Sequence, residues 1–82
     1  MTIEAQIRDF ISQNILFSDS GFPYPDDVSF VQEGIIDSIG MLELVAFVEE
    51  NFQCDVQDQE IIPENFDSVN NLALYIRKKS GG

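Results

Sequence analysis

Apolar residues recur at spacings of three and four along most of this chain, which is the period of a helix that buries one face. The pattern covers residues 2–16, residues 38–52 and a stretch that begins near Ser68 and frays after Lys79. No segment alternates apolar and polar residues convincingly, as a half-buried strand would. The periodicity therefore predicts an all-α fold, a small bundle of three main helices. Their inward faces are expected to hold Ile3, Ile7, Phe10, Ile11 and Ile15, then Met41, Leu44, Val45, Val48 and Phe52, then Val69, Leu72, Ala73 and Ile76.

The segments between these helices differ in length. Residues 17–36 form a long first loop, in which two prolines favour extended backbone and residues 26–30 can form one helical turn. We expect the loop to pack across the helices through its apolar residues. A short fourth helix is expected near Asp58 to Ile62, ended by Pro63. The loop's apolar anchors are Phe22, Tyr24, Val28, Phe30 and Val31.

Length and helix-end signals complete the predicted architecture. A chain of 82 residues is enough for one domain, which we place at 1–82, with residues 80–82 as a disordered tail. Thr2 is a suitable N-terminal cap for the first helix, and Asp67 or Ser68 for the last.

The charge balance is strongly acidic. Fifteen Asp and Glu residues face four Lys and Arg residues, for a net charge of −11. This balance argues against nucleic acid or an anionic membrane surface as a partner, because both need clustered positive charge. It favours a basic protein partner, although the same charge would also keep a small monomer soluble. The chain has no apolar run long enough to span a bilayer and no signal-peptide pattern at its start, so a cytoplasmic location is expected.

The residue inventory gives no support for an enzyme. The chain has no histidine, no glycine-rich phosphate loop and no nucleophile–base pair. Its single cysteine, Cys54, excludes an internal disulfide and a multi-cysteine metal site, and is best interpreted as a small, partly buried apolar residue. We predict no catalytic residue and no metal site.

One serine has a distinctive setting. Ser38 follows Gly34-Ile35-Ile36-Asp37 and begins the second helix, so its hydroxyl should lie on the surface at a helix N-terminus. Nothing in the chain would activate it as a nucleophile, whereas an exposed hydroxyl is well placed for attachment of a group. The alternative is that Asp37 or Ser38 merely caps the helix. A capping box from Ser38 is not completed, because Met41 stands where Glu would be needed, and Gly40 weakens the first turn.

The stretch Gly34-Ile35-Ile36-Asp37-Ser38-Ile39-Gly40-Met41-Leu42-Glu43-Leu44-Val45 resembles the acyl carrier protein family. The similarity continues through Ala46-Phe47-Val48-Glu49-Glu50-Asn51-Phe52 to Pro63 and Ser68-Val69-Asn70-Asn71-Leu72-Ala73, and so covers nearly the whole chain. It implies that a separate phosphopantetheinyl transferase moves a 4'-phosphopantetheine group from coenzyme A onto Ser38. The thiol of that arm would hold acyl or aminoacyl groups as thioesters and present them to other enzymes.

The same resemblance implies roles for the residues around Ser38. Asp37 would help the transferase and its metal engage the site. An apolar flank and three acids on the second helix would contact partner enzymes that carry basic docking patches. Each of these acids could instead be part of a solvated helix face. The partner-contact residues implied are Ile39, Leu42, Glu43, Ala46, Glu49 and Glu50.

The chain departs from the carriers of fatty-acid synthesis at several positions. Those usually have Leu and then a polar or acidic residue after the serine, whereas here Ile39-Gly40-Met41 follows, and the first loop is longer and contains Phe22-Pro23-Tyr24-Pro25. In this respect the chain looks closer to stand-alone carriers charged by acyl- or aminoacyl-adenylate ligases, including D-alanyl carriers and those of specialised pathways. Ketosynthases and other acyl-processing enzymes remain possible partners.

Two other functions fit parts of the pattern. An acidic helical adaptor could bind a basic partner through the same helix without any prosthetic group. The terminal Gly81-Gly82 is also found in sulfur carriers and ubiquitin-like proteins. Those proteins need a strand-rich fold, which the helical periodicity of this chain disfavours.

Overall fold

The computed structural model describes residues 2–81, and within them it is all-helical. Helix α1 spans Ile3–Asn14 and α2 spans Ser38–Phe52. After a 3-10 turn at Asp58–Glu60 come the short α3, Pro63–Phe66, and α4, Val69–Gly81. No strand occurs among the described residues, and the predicted class of three main helices with one short helix is confirmed.

Helices α1 and α2 begin and end close to the predicted residues, because local signals set their ends. The Thr2 hydroxyl caps α1 by accepting the Ala5 N–H at 3.1 Å. At the other end of α2, Gln53 adopts the left-handed conformation that commonly stops a helix.

The core lies where α1, α2, α3 and α4 meet. Its largest fully buried side chains come from all four helices and from the first loop. The ring of Phe66 on α3 lies 5.1 Å from that of Tyr75 on α4, and Phe10 on α1 stacks on Phe47 of α2 at 4.3 Å. These fully buried side chains are Phe30, Phe66, Ile7, Ile11, Leu44, Leu72, Ile76, Val48 and Val69.

The first loop is held against the helices, as predicted, but by hydrogen bonds that prevent the helical turn expected over 26–30. The Phe30 N–H donates to the Asp67 carbonyl at 2.8 Å, and the Asp26 carbonyl accepts from the Asn70 N–H at 3.0 Å. The Ser29 hydroxyl also bonds the Asp67 carboxylate. Since these long-range bonds occupy the backbone groups that a helix would pair locally, this segment forms separate turns at 26–27 and 30–34.

Two further expectations about the second half of the chain need correction. Pro63 starts α3 instead of ending a helix, because proline is favoured at a first helical position that has no N–H partner. The structure therefore has a 3-10 turn followed by a separate short helix. Helix α4, capped by the Ser68 hydroxyl on the Asn71 N–H at 3.0 Å, continues through Ser80 and Gly81, where we expected a disordered tail. Residue 82 lies outside the described residues.

Candidate functional site

The N-terminus of α2 is capped by Asp37 and not by Ser38. Asp37 has extended backbone, and its Oδ1 accepts the Gly40 N–H at 2.8 Å. Its carbonyl accepts the first helical bond, from the Met41 N–H, also at 2.8 Å. Asp37 thus satisfies one of the N–H groups that a helix start leaves unpaired. Ser38 becomes the first helical residue, and its hydroxyl is not needed to cap the helix.

The Ser38 side chain is free to react. Ser38 is exposed, and its hydroxyl forms no hydrogen bond with any other residue in the range 2–81. Because it stands at the first position of a fifteen-residue helix, the partial positive charge of the helix dipole favours an anion there. The site therefore combines access with a field suited to a phosphate ester.

Gly40 has a packing role that the sequence did not indicate. It is buried, and a Cβ at this position would lie 3.1 Å from Ile36 Cγ2 and 3.3 Å from Asp37 Oδ1. A larger residue would press against both the core side chain and the capping carboxylate. Glycine therefore lets the start of α2 lie close to Ile36 while the cap stays in place.

A groove runs from Ser38 towards α3. Its first part, about 420 Å³, is lined by Ser38, Asp37, Ile36, Val31 and Met41. A second part, about 350 Å³, shares Val31 and Met41 and reaches the α3 region. Its lining there is mostly apolar and includes Ile61, Ile62 and Phe66.

Val31 borders this groove, although the sequence suggested that it anchors the loop. It is 62% exposed, whereas the preceding Phe30 is fully buried. The fold of a twenty-residue loop depends on distant contacts, so the position of Val31 could not be derived from local sequence.

The exposed side of α2 next to Ser38 is apolar. Ile39 is 69% exposed and Leu42 is 68% exposed, and Ala46 follows one turn later on the same side. Leu44 and Val48 are buried on the other side, as predicted.

The three acids singled out on α2 are all exposed but differ in their contacts. Glu49 Oε2 accepts the Val56 N–H at 3.3 Å, so this carboxylate helps hold the chain that leaves the helix. Within residues 2–81, the carboxylates of Glu43 and Glu50 have no hydrogen bond or ion pair. Glu43 and Glu50 are therefore the two that are available to a partner.

Comparison with known proteins gives a relative that matches almost the full length. An acyl carrier protein of Desulforapulum autotrophicum is 32% identical over 80 residues, which are 98% of this chain and all of the relative. The chain belongs to the acyl carrier protein family. An acyl carrier protein of Akkermansia muciniphila is 38% identical over 55 residues, 67% of this chain and 66% of that protein. No protein-family model matches the chain.

Membership of the acyl carrier protein family fits the site described above. Proteins of this family carry acyl groups and do not catalyse their conversion, so the chain is a carrier and not an enzyme. The family generally carries a phosphopantetheine group, and its members interact with acyl-processing enzymes. Cys54 of this acyl carrier protein is buried, and burial raises the pKa of its thiol, which disfavours the reactive thiolate.

Three of the four cations of the chain pair with carboxylates outside α2. Arg8 pairs with Asp26 at 2.7 Å, and Arg77 forms two hydrogen bonds of 2.8 Å with Glu4. The third pair in the described part of the chain joins Lys79 to Glu60 at 3.1 Å. None of the ion pairs within residues 2–81 involves Asp37 or an acid of α2. No helix within residues 2–81 has both the length and the apolar character needed to cross a bilayer.

Proposed function

We propose that the chain is a stand-alone acyl carrier whose 4'-phosphopantetheine arm is attached to Ser38. This proposal rests on the different roles of two adjacent residues at the start of α2. Asp37 caps the helix at 2.8 Å, which leaves the neighbouring Ser38 hydroxyl exposed and without a hydrogen bond to any described residue. A serine with a structural role would use its hydroxyl in the cap.

The attachment is a phosphoryl-group transfer in which this chain supplies only the acceptor. The Ser38 Oγ forms a bond to the phosphorus that bears the pantetheine arm of coenzyme A. The pyrophosphate P–O bond breaks, and the nucleotide leaves as adenosine bisphosphate. The hydroxyl proton passes to a base of the transferase, since the chain has no histidine of its own. Asp37 would help the transferase and its metal engage Ser38.

The surroundings of Ser38 fit such an arm. The helix N-terminus favours the phosphodiester charge, and the groove of about 420 Å³ offers apolar surface from Ile36, Val31 and Met41 beside the hydroxyl. When attached, the arm supplies a thiol that holds an acyl or aminoacyl group as a thioester. The groove continues towards Phe66 and Ile62, so it could shelter part of an apolar cargo.

The docking face for partner enzymes is the exposed side of α2. Ile39, Leu42 and Ala46 would pack against apolar side chains of a partner, and Glu43 and Glu50 would meet its Arg and Lys. Glu49 would contribute charge in addition to its contact with Val56. We place such a monomeric carrier in the cytoplasm, where the enzymes it serves act.

Among the charging enzymes, an adenylate-forming acyl or aminoacyl ligase fits best. The motif Ile39-Gly40-Met41 after the serine differs from that of fatty-acid carriers, and the close packing of Gly40 against Ile36 supports a structural reason for glycine at this position. Ketosynthases and other acyl-processing enzymes would act after charging. The cargo would be an acyl or aminoacyl intermediate of fatty-acid or specialised biosynthesis.

The test is the intact mass of the protein after incubation with coenzyme A and a broad-specificity phosphopantetheinyl transferase. Wild type should gain the mass of one phosphopantetheine group, and Ser38→Ala should gain none. Ser20→Ala is the matched control, because Ser20 is an exposed loop serine far along the chain from α2, and it should gain the full mass. An unmodified wild type, or an equal gain on Ser38→Ala, would sink the proposal.

A further inference from the structure

Phe17 has an unusual backbone for an aromatic residue. Its φ is +53°, in the left-handed region that favours glycine, and its side chain is 81% exposed. Bulky residues are genuine outliers there, because Cβ approaches the following carbonyl. Both the left-handed backbone of Phe17 and the contact of its ring with water are therefore energetically unfavourable.

The end of α1 imposes this conformation. The Leu16 N–H donates to the Ile11 carbonyl at 2.9 Å, and the Ser18 N–H donates to the Ser12 carbonyl at 2.7 Å. Between them the chain must turn back through a left-handed residue, a position where glycine is the usual choice. Neither the turn nor the core requires an aromatic ring at Phe17, so its presence needs another explanation.

The ring lines a cleft beside the attachment site. This cleft, about 310 Å³, lies between the end of α1 and the start of α2, with apolar walls from Phe17, Ile35 and Ile39. Asp37 and Glu43 supply its charged lining. Ser38 stands between two of the lining residues, Asp37 and Ile39, and its side chain lines the neighbouring groove, so a protein that fills the cleft lies next to the attachment site.

The cleft is acidic, and the chain does not neutralise it. Three of the four cations, Arg8, Arg77 and Lys79, are held by carboxylates elsewhere, and no ion pair within residues 2–81 involves Asp37 or Glu43. A molecule that fills the cleft must therefore bring both apolar surface and positive charge.

We propose that Phe17 and Ile39 form a docking cleft for the phosphopantetheinyl transferase, which inserts an apolar side chain flanked by Arg or Lys. This inference rests on the proposed function of Ser38. The transferase is the one partner that must bring its own active site to the Ser38 hydroxyl. Enzymes that act on the cargo work at the far end of the arm. Phe17 is then an interface anchor that holds the transferase next to Ser38.

The chain offers a matched pair of variants for the test. Gln53 is the other non-glycine residue with positive φ among residues 2–81, at +54°, and it ends α2 at the opposite end from Ser38. Phe17→Gly and Gln53→Gly both remove the backbone strain of a side chain at positive φ, but only Phe17→Gly also removes an aromatic ring. Phe17→Tyr keeps the ring in place.

The experiment measures the transferase's kcat and KM for each carrier, with melting temperature and elution volume in parallel. Phe17→Gly should melt no lower than wild type and raise KM roughly tenfold with little change in kcat, as loss of an interface anchor does. Gln53→Gly should keep the wild-type KM, and Phe17→Tyr should stay near it.

A KM for Phe17→Gly within twofold of wild type would overturn this inference while leaving Ser38 as the attachment site. Absence of any modification of wild type would overturn the proposed function itself. If the ring instead joins two copies of the chain, wild type would elute as a dimer and Phe17→Gly as a monomer with an unchanged KM, which also contradicts the inference.

Discussion

At the corner where the 3-10 turn meets α4, the Glu60 carboxylate accepts the Gln57 N–H at 3.0 Å, the Tyr75 hydroxyl at 3.1 Å and the Lys79 Nζ at 3.1 Å. On the exposed side of α2, Glu43 and Glu50 have no such partner within residues 2–81. The two regions show that an acidic surface can have two uses in one small domain. One carboxylate ties elements together, and the others are left for molecules outside.

The same division, between residues that hold the fold together and residues that face outward, is expected to have its largest effect at two consecutive residues of the first loop. Phe30 is fully buried and Val31 is 62% exposed beside the Ser38 groove. Phe30→Ala should lower the free energy of unfolding by about 3–5 kcal/mol, because it removes a core ring and leaves a cavity. Val31→Ala should change it by less than about 0.5 kcal/mol. Urea unfolding measures both, and equal losses would show that the loop is not divided between core and site.

Asp37 is the one acid at the Ser38 end that supports the fold. Asp37→Ala should destabilise the protein by about 1 kcal/mol, because the Gly40 N–H loses its capping partner. Asp37→Asn should keep most of that stability, since the amide oxygen can still cap, but should slow modification of Ser38 by the transferase. Thermal unfolding and the modification rate together separate the two roles. If both variants unfold like wild type, the cap has no structural importance.

The corner and the α2 face can be compared directly with one substitution in each. Glu60→Ala should lower the melting temperature, because it leaves the Tyr75 hydroxyl and the Gln57 N–H without their acceptor. Glu43→Ala should leave the melting temperature unchanged but weaken binding of a basic partner, most clearly at low salt. A lower melting temperature for Glu43→Ala would show that Glu43 stabilises the fold and would contradict its role as an acid available to a partner.

Acid should remove the stabilisation that the paired carboxylates provide, and this is the smallest of the expected effects. The Arg77 side chain bonds Glu4 and lowers the pKa of Glu4 from 4.5 to about 2. The Gln57 N–H and Lys79 also lower the pKa of Glu60. Because these folded-state pKa values are depressed, the stabilisation is present above pH 4.5 and is lost as the pH falls towards 2.

Glu4→Gln should therefore lose less stability than wild type between pH 7 and pH 3. The difference should be small, since the Glu4–Arg77 pair is partly exposed to water and salt. Urea midpoints at the two pH values measure it, with Glu50→Gln as a control that keeps the wild-type loss. Identical pH dependence in wild type and Glu4→Gln would show that the pair does not stabilise the fold.

The sequence was enough to predict the features that local chemistry sets. The period of α2 gave its bounds from Ser38 to Phe52, and the Thr2 cap of α1 follows from side-chain preference alone. The resemblance around Asp37 and Ser38 pointed to the family that the full-length relative shows.

Features set by distant contacts could not be predicted in this way. The helical turn expected over 26–30 is absent because Asp67 and Asn70, which lie 37 and 44 residues further along the chain, bind the backbone groups of Phe30 and Asp26. Periodicity could not show that Pro63 starts a helix. The sequence did not predict the exposed ring of Phe17, because the left-handed backbone of this residue depends on how α1 ends. The only signal in the sequence was an aromatic residue at the place where α1 should end.

The central claim is that Ser38 carries the arm, and fragmentation mass spectrometry tests it most directly. The protein would be produced in cells that contain a phosphopantetheinyl transferase and then digested. We predict the added mass on the peptide that contains Asp37-Ser38-Ile39, with fragment ions that place it on Ser38. An unmodified Ser38 in a protein that still binds a basic partner would contradict the account and favour an adaptor without a prosthetic group.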